Sequence, residues 1–180
     1  MKIALSAEST IDLPVELLQK YNIHTTPFTI LLGDEAKLDG EVPVPEIIDF
    51  VNKTGTLPKT SAVNQYQYKE HWDKLLEEYD AVIHFSLSSE ISVACHNAKT
   101  CAQDYDNVFV IGGAMFYRTM LPYCEEIFVT KVDADGEATV FYPNLDELEG
   151  FEMIYESESV ESNGLNIKFT TYKNNLVKEF

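Results

Sequence analysis

The sequence predicts an α/β fold, a three-layer α/β/α arrangement with a mainly parallel sheet and C-terminal antiparallel strands. In the first two thirds of the chain, short apolar runs alternate with segments whose apolar residues recur at helical spacing, which is the order of βα units. In the last third, alternating apolar and polar residues are separated by Asp-Gly and Asn-Gly pairs, which is typical of an antiparallel meander. With 180 residues, 45% of them hydrophobic, the chain can form one domain with its own core.

The first elements are predicted from apolar runs and from the residues that end them. Residues 2–7 predict a buried strand, and Asp12 is placed to cap the helix that follows. Residues 23–32 predict a second strand, which Pro27 bends or confines to a sheet edge. The polar stretch 33–44 is predicted to be turns.

The middle of the chain continues the alternation of helices and strands. Tyr68, Trp72 and Leu75 share one side of a helical repeat, which predicts an amphipathic helix. In order, the pattern predicts a helix over 45–55, a loop at 57–61, a helix over 64–78, a strand over 81–88, a helix from Ser88-Ser89 to about Cys101, a strand over 108–113 and a helix over 114–124.

The C-terminal third is predicted to contain four strands, over 126–134, 138–143, 151–160 and 165–173. The pairs Asp135-Gly136 and Asn163-Gly164 are tight-turn signals that predict hairpins.

Charge and composition exclude several classes of function. The net charge of −17 repels nucleic acid and anionic membranes, and no apolar run is long enough to span a bilayer. The three cysteines form no CxxC pair and the four histidines show no zinc spacing, so we expect reduced thiols and no metal ligands. The N-terminus lacks the apolar stretch of a secretory signal. A cytoplasmic monomer or homodimer is expected.

Four segments of the first 108 residues carry a family resemblance. They are KIALSAESTIDLP at 2–14, TPFTILLGDE at 26–35 followed by Asp39-Gly40, PKTSAV at 58–63, and IHFSLSSEIS with CHNA within 83–98. In these segments, residues 1 to about 108 resemble the N-terminal part of the DegV family of fatty-acid-binding proteins. The resemblance implies a carrier that binds one long-chain fatty acid between two domains, presents it to a kinase and has no catalytic activity of its own.

A fatty-acid head group is a carboxylate, which hydroxyls and free backbone N–H groups at a helix start can hold. Ser88, Ser89 and Ser92 are expected at such a start. By resemblance, the lipid-binding residues are Ser9, Thr10, Thr60, Ser61, Ser88, Ser89 and Ser92. The structural alternative is that these are ordinary helix-capping and turn residues. His84 is predicted to be a packed core residue.

The chain departs from the DegV pattern at two positions and in one larger respect. Glu8 stands where the family usually has Asp before Ser-Thr, and Val93 stands where it usually has Gly. The family's second domain, which closes over the acyl chain, has no counterpart in the sequence. The groove is therefore expected to be open to water, which forfeits part of the roughly 0.8 kcal/mol contributed by each buried CH₂.

A second resemblance is carried by VFVIGGAMFYRTMLPYC at 108–124, FVTKVDA at 128–134 and Phe141-Tyr142-Pro143. In these segments, residues from about 108 to 175 resemble the C-terminal part of dihydrofolate reductase. It implies that Gly112, Gly113, Ala114 and Tyr117 contact NADPH and that Ile111 and Thr130 line the pterin site. The alternative is that the glycine pair only lets a strand turn tightly into a helix.

In dihydrofolate reductases, the catalytic carboxylate and the loop over the nicotinamide belong to the N-terminal half of the sequence. In this chain the N-terminal half resembles the DegV family instead. Asp12 lies at a suitable position for the carboxylate, but its surroundings match DegV. We therefore assign no catalytic residue, and any enzyme activity would be that of an NADPH-dependent dihydrofolate reductase. The possible ligands are a fatty acid or small carboxylate, and NADPH.

The expected organisation is a single chimeric α/β domain over 1–180, with a DegV-like fragment at 1–108 and a reductase-like fragment at 109–180. The seam falls within one strand, about 107–111, which both families share as a βα unit. Natural fusions usually join whole domains at linkers. The hypothesis is an engineered or recombinant chimera without a full natural activity, which retains fatty-acid or small-carboxylate binding. The alternatives are an NADPH-binding remnant and a working reductase.

Overall fold

The structure is a computed structural model that describes residues 1–179. The chain divides into two compact units, Met1–Gly113 and the part from Ala114 onward. The elements of the first unit are β1 (Ile3–Glu8), α1 (Val15–Lys20), β2 (Ile23–Thr26), β3 (Thr29–Leu32), β4 (Glu35–Leu38), α2 (Val44–Thr54), β5 (Lys59–Ser61), α3 (Gln65–Leu76), β6 (Ala81–Phe85), α4 (Ala94–Ala102) and β7 (Val108–Ile111).

The first unit contains a four-stranded sheet in the order β2-β1-β6-β7. All three pairings are parallel, with Ser6 opposite both His24 and His84. The carboxyl ends of the four strands therefore lie at one edge of the sheet. The chain leaves β1 toward β2 on one side and returns to β6 on the other, so the strand order reverses between β1 and β6.

The strand predicted at 23–32 is two strands in two sheets. Pro27 has no N–H to continue a ladder, and the chain leaves the parallel sheet there. The strand after it, β3, lies between β4 and β5 in a three-stranded antiparallel sheet. The turns predicted at 33–44 and the loop predicted at 57–61 therefore include β4 and β5. The partner of β5 is β3, far earlier in the chain, so its local pattern did not reveal it. β4 follows β3 across the two-residue turn Gly33-Asp34, and it was missed because residues 33–44 are mostly polar.

The core of the first unit lies beneath α3 and α4. Tyr68 and Trp72 are fully buried and Leu75 is 7% exposed, which confirms the predicted apolar side of α3. That helix begins at a capping box, in which Asn64 and Gln67 each bond the other's backbone N–H. Asp12 does not cap α1, which was predicted. Its backbone is left-handed and closes a 3₁₀ turn at 9–11, so its side chain is too early in the chain to cap α1.

The second unit contains an antiparallel sheet of four strands. The central strand β11 pairs with β8 along one side and with β9 and β10 along the other. Buried Leu121, Leu145 and Tyr172 form its core. The elements are α5 (Gly113–Met120, beginning at the last residue of the first unit), β8 (Glu126–Val132), β9 (Phe151–Glu156), β10 (Val160–Ser162) and β11 (Leu165–Asn174).

Two predictions for this unit are settled by the pairing. Asn163-Gly164 forms the two-residue turn between β10 and β11, as predicted, and both residues have positive φ. The strand predicted at 138–143 is wrong, because this segment is irregular and Asp135-Gly136 does not connect paired strands.

The predicted α/β class, with a parallel sheet and C-terminal antiparallel strands, is confirmed. The antiparallel strands form a sheet of their own, however, and do not extend the parallel sheet as expected. Within residues 1–179, no helix is long and apolar enough to cross a membrane. The single domain predicted for 1–180 stays a prediction, which one cooperative unfolding transition would support.

Candidate functional site

The candidate site lies at the carboxyl edge of the parallel sheet, where the strand order reverses between β1 and β6. In open α/β sheets this reversal opens a crevice in which ligands bind. The loop after β1 carries Ser9 and Thr10, and the loop after β6 carries Ser88 and Ser89. Two of the predicted lipid-binding groups therefore follow neighbouring strands at this edge.

The buried carboxylate of Glu8 connects the end of β1 with the loop after β6. Glu8 is the last residue of β1 and is 2% exposed. Its Oε1 accepts hydrogen bonds from the hydroxyls of Tyr68 at 2.6 Å and Ser86 at 2.7 Å. Its Oε2 accepts the backbone N–H of Leu87 at 3.2 Å. The carboxylate thus joins the end of β1 to α3 and to the loop after β6.

A chain of side-chain hydrogen bonds continues from Glu8 into the protein. His84 Nε2 lies 3.2 Å from Glu8 Oε1, and His84 Nδ1 lies 2.8 Å from Ser6 Oγ. Ser6 Oγ lies 2.9 Å from His71 Nε2 on α3. The carboxylate accepts from His84 Nε2–H. The Ser6 hydroxyl, which can both donate and accept, joins His84 Nδ1 to His71 Nε2. His84 is fully buried, as predicted.

The surroundings shift the pKa values of these groups in opposite directions. Burial alone would raise the pKa of Glu8, but the hydrogen bond and charge of His84, together with the Tyr68 and Ser86 hydroxyls, outweigh it and lower the pKa. Burial and the neighbouring Glu8 charge raise the pKa of Tyr68. Burial and the nearby positive charges of His84, His24 and Lys74 lower the pKa of His71 to about 4. Glu8 is therefore ionised and His71 neutral near neutral pH.

The sequence pattern did not identify this cluster as a site. Glu8 was noted only as a departure from the family pattern, and Ser6, His71 and Ser86 were not singled out. One signal was available, since Ser6 and Glu8 are polar residues two apart in an otherwise apolar strand and so share one face. Their partners are 60 or more positions away in sequence, so only the fold brings the cluster together.

The structure ties the predicted residues Ser9, Thr60 and Ser61 to neighbouring segments. Ser9 Oγ accepts the backbone N–H of Phe28 at 3.1 Å, just before β3. In β5, Ser61 is paired with Thr29 and Thr60 with Ile30. Ser61 therefore lies beside the segment that Ser9 holds. The side chains of Thr10, Thr60 and Ser61 are exposed.

The predicted helix start at Ser88-Ser89 is wrong, because α4 begins at Ala94. Ser88 instead closes a turn: its carbonyl oxygen accepts the Ser92 N–H at 3.1 Å and its Oγ accepts the Glu90 N–H at 3.3 Å. Ser92 Oγ accepts the Ala94 N–H at 3.2 Å, so only Ser92 lies at the helix start. Serine hydroxyls compete with helical hydrogen bonds in this way, which delays the helix.

The residues predicted to contact NADPH or pterin are divided between the two units. Ile111, Gly112 and Gly113 belong to the first unit, whereas Ala114, Tyr117 and Thr130 belong to the second. Tyr117 and Thr130 are exposed.

The packing at Gly112 bears on whether a cofactor could be held there. A Cβ at this position would lie 2.2 Å from the Ser86 carbonyl oxygen, so the space left by its missing side chain is filled by protein backbone. The Cβ position of Gly113 faces open space. Packing against Ser86 therefore accounts for a glycine at position 112 without any ligand, and the contact of Gly112 with a cofactor stays a prediction.

Comparisons with known proteins match the two parts of the chain to two families. Residues 2–119 match the family described as "Uncharacterised protein, DegV family". Residues 79–174 match the family described as "Dihydrofolate reductase", and the two matches overlap at 79–119.

Individual proteins repeat this division. A DegV domain-containing protein of Clostridium perfringens is 35% identical over 92 residues, which are 51% of this chain and 33% of that protein. A solved structure of a hypothetical Thermotoga maritima protein, described as revealing a fatty acid binding function, superposes with a TM-score of 0.55 at 28% identity and covers 68% of this chain and 48% of the other. A bifunctional dihydrofolate reductase-thymidylate synthase of Daucus carota is 38% identical over 69 residues, 37% of this chain and 13% of that protein. The chain thus spans about a third of the DegV relative's length.

Proposed function

We propose, since the chain belongs to the DegV family through residues 2–119 and to the dihydrofolate reductase family through residues 79–174, that it binds a fatty acid or another small carboxylate at the carboxyl edge of its parallel sheet. The head-group site consists of Thr60, Ser61, Ser88 and Ser89, with Ser9, Thr10 and Ser92 beside them. The observation that carries the proposal is the position of the loops after β1 and β6 at the reversal of strand order.

The hydrogen bonding of the serines supports this role. Ser9, Ser88 and Ser92 each accept a backbone N–H through Oγ. A hydroxyl that accepts still has its own hydrogen to donate. Each of these side chains is therefore held in place while its O–H can turn toward an anionic ligand, and a carboxylate needs several such donors in the absence of a full positive charge.

The same features limit the expected affinity. The chain carries a net charge of −17, and Glu8 and Glu90 are close to Ser88, so a carboxylate approaches a negative surface. The residues after 119 match the reductase family instead of a second DegV domain. We expect binding weaker than that of a closed carrier, because an open groove buries fewer CH₂ groups.

Titration with palmitate, followed by the fluorescence of buried Trp72 and by native mass spectrometry, tests the proposal. We expect a one-to-one complex that the double variant Thr60→Val/Ser89→Ala weakens about tenfold or more, since two hydrogen bonds to a charged group are lost. Both side chains are exposed, so their replacement should leave the fold intact. Ser162→Ala, at an exposed position of the second unit, is the matched control. Equal binding by all three proteins would contradict the proposal.

The second candidate is a nucleotide-binding remnant, with or without dihydrofolate reductase activity. The family match over 79–174 favours it, as does the start of α5 at Gly113 directly after β7. The packing at Gly112 gives it no support, because that packing accounts for the glycine without a ligand. The absorbance of NADPH, followed over time in the presence of dihydrofolate, distinguishes the candidates. Turnover above background would favour the reductase.

We further propose that the chain is an engineered or recombinant chimera whose two fragments were joined within β7. Such a swap preserves the strand, its pairing with β6 and the helix after it. A natural genome that contains the same uninterrupted reading frame would overturn this origin. The cytoplasmic location and the monomeric or homodimeric state stay predictions, and size-exclusion chromatography with light scattering measures the second.

A further inference from the structure

We propose that Glu8 is a positioning residue of the head-group site: its ionised carboxylate holds the loop after β6 in the conformation that presents Ser88 and Ser89. This inference rests on the proposed function, since it gives Glu8 a part in carboxylate binding without contact with the ligand. Nothing in the family resemblance assigns this part to Glu8, which is the position where the chain departs from the usual Asp.

The geometry connects Glu8 to the head-group loop through two adjacent residues. Ser86 donates its hydroxyl to Oε1 at 2.7 Å, and Leu87 donates its backbone N–H to Oε2 at 3.2 Å. Ser88 follows directly and closes the turn that contains Ser89. The carboxylate is therefore one residue away from the first head-group serine, and it fixes both the side chain and the backbone that lead into it.

The other contacts of Glu8 make it a rigid anchor. Oε1 also accepts from Tyr68 and lies 3.2 Å from His84 Nε2, and both of these side chains are fully buried. The two oxygens together receive four donors, which an ionised carboxylate can accept in full. A protonated carboxyl group, or the amide of a glutamine, presents hydrogens of its own, so at least one donor would lose its acceptor.

The substitution Glu8→Gln is therefore expected to break the hydrogen bond to the Leu87 backbone and to keep the other hydrogen bonds of the cluster. An amide oxygen in the position of Oε1 keeps the bonds to Tyr68, Ser86 and His84. The NH₂ group then faces the Leu87 N–H, where two donors cannot bond. Aspartate keeps the charge but has a shorter side chain, and the family usually has Asp at this position. Glu8→Gln should release the loop, and Glu8→Asp should restore it in part.

The titratable groups that face Glu8 come from each packed element. Those that contact Glu8 directly are His84 on β6 and Tyr68 on α3. Cys95 on α4 acts on Tyr68, and His71 on α3 is linked to His84 through Ser6, while His24 on β2 acts on His71. Because the cluster contains several such groups, an acid titration of the wild type has to be compared with the same titration of Glu8→Gln.

The experiment combines a ligand-independent and a ligand-dependent readout on the full chain. The first is the NMR shift and hydrogen exchange of the Leu87 amide, and the second is the Kd for palmitate. We expect Glu8→Gln to speed Leu87 exchange, to abolish the acid titration of its shift and to weaken palmitate binding about tenfold, as for the loss of a bond to a charged group. Glu8→Asp should recover most of the affinity.

Glu90→Gln is the matched control, because it removes the same charge from an exposed side chain on the same loop. It should leave the Leu87 amide unchanged and alter the Kd less than about twofold, as for a screened surface charge. Loss of a negative charge should by itself favour an anionic ligand, so a Glu8→Gln variant that binds palmitate as tightly as Glu90→Gln does would show that charge and not position is responsible, and would overturn the proposal.

The two readouts separate failure of this inference from failure of the proposed function. If the wild type does not bind palmitate, the proposed function fails, and the Leu87 amide still decides whether Glu8 holds the loop. If Leu87 exchange is the same in the wild type and in Glu8→Gln, Glu8 does not hold the loop and the inference is wrong. Should Glu8→Gln fail to fold, Ser86→Ala is measured in its place, because it removes one of the two contacts between Glu8 and the loop while Glu8 keeps its charge. Unchanged Leu87 exchange and an unchanged Kd in Ser86→Ala would then overturn the inference.

Discussion

The Cβ atom that any residue other than glycine would place at position 112 would lie 2.2 Å from the carbonyl oxygen of Ser86. The backbone of the loop after β6 thus packs against the end of β7, and the Ser86 N–H bonds the Ile111 carbonyl oxygen at 2.8 Å beside this contact. Gly112 also has φ of +140°, a conformation that other residues rarely adopt. The close contact between the end of β7 and the loop after β6 therefore requires glycine at position 112.

We predict that Gly112→Ala destabilises the protein by about 3 kcal/mol or more, because both the close contact and the positive φ penalise a side chain. The matched control is Gly113→Ala, where φ is +72° but nothing lies within 4 Å of the new Cβ. Its expected cost is about 1 kcal/mol, from the backbone alone. Urea unfolding of both variants measures the difference, and equal costs would show that the Ser86 contact yields.

The bond from Tyr68 to Glu8 leads to a second prediction. Tyr68→Phe keeps the buried ring but removes one donor from a buried carboxylate, so the free energy of unfolding should fall by about 2 kcal/mol near neutral pH. The pKa of Glu8 should rise as well, because one of the bonds that lower it is lost. Chemical denaturation and an acid titration measure the two effects.

Tyr66→Phe is the control for that substitution. Tyr66 lies on the same helix and is 71% exposed, so we expect a change within about 0.5 kcal/mol. A loss in Tyr68→Phe no larger than in this control would mean that the hydroxyl contributes nothing to Glu8.

The sequence predicted the elements whose apolar pattern is local. The buried side of α3 and the strands β1, β6 and β7 were recovered because each carries its signal within a few residues. The turn at Asn163-Gly164 was recovered for the same reason, since positive φ at both positions is a local preference.

The features that the sequence did not predict depend either on partners that are distant along the chain or on local hydrogen bonds that override a helical pattern. The segment 138–143 alternates like a strand but is unpaired with the strands of either unit. The helix expected from Ser88 begins later because local serine bonds form the turn first. The Glu8 cluster was missed because the apolar signal of β1 concealed two polar residues whose partners lie on α3 and β6.

The lowered pKa of His71 predicts that stability depends on pH. In the folded protein this pKa is about 4, below its ordinary value of 6.5, so between these values the unfolded chain binds the proton more readily. The contribution of a neutral His71 is therefore complete above about pH 6.5 and is lost as pH falls toward 4. We expect a loss of about 2 kcal/mol between about pH 7 and about pH 5, at roughly 1.4 kcal/mol per pKa unit.

His71→Gln isolates this effect, because glutamine can still donate to Ser6 but does not titrate in this range. Glu8 changes the stability only below about pH 4.5: because its pKa is lowered in the folded state, its stabilisation is complete above that value and is lost as pH falls further. His96→Gln, at an exposed position, is the control. The same slope of stability with pH in the wild type and in His71→Gln would show that another group is responsible.

The single domain predicted for 1–180 requires the two units to unfold together. Each unit has a core of its own, with Val82 fully buried in the first and Leu145 4% exposed in the second. We predict one transition in calorimetry, with equal calorimetric and van't Hoff enthalpies, because only Gly112 lies between β7 and α5, whereas independent domains are usually joined by a longer linker.

The two cores provide matched variants for this last prediction. Val82→Ala and Leu145→Ala each leave a cavity that costs about 2 kcal/mol or more. If the chain is one cooperative domain, each variant lowers the Tm of the same single transition. If it is two domains, two transitions are observed, and Val82→Ala shifts only one of them while Leu145→Ala shifts only the other. The second result would divide the chain into a DegV-family fragment and a reductase-family fragment that fold independently.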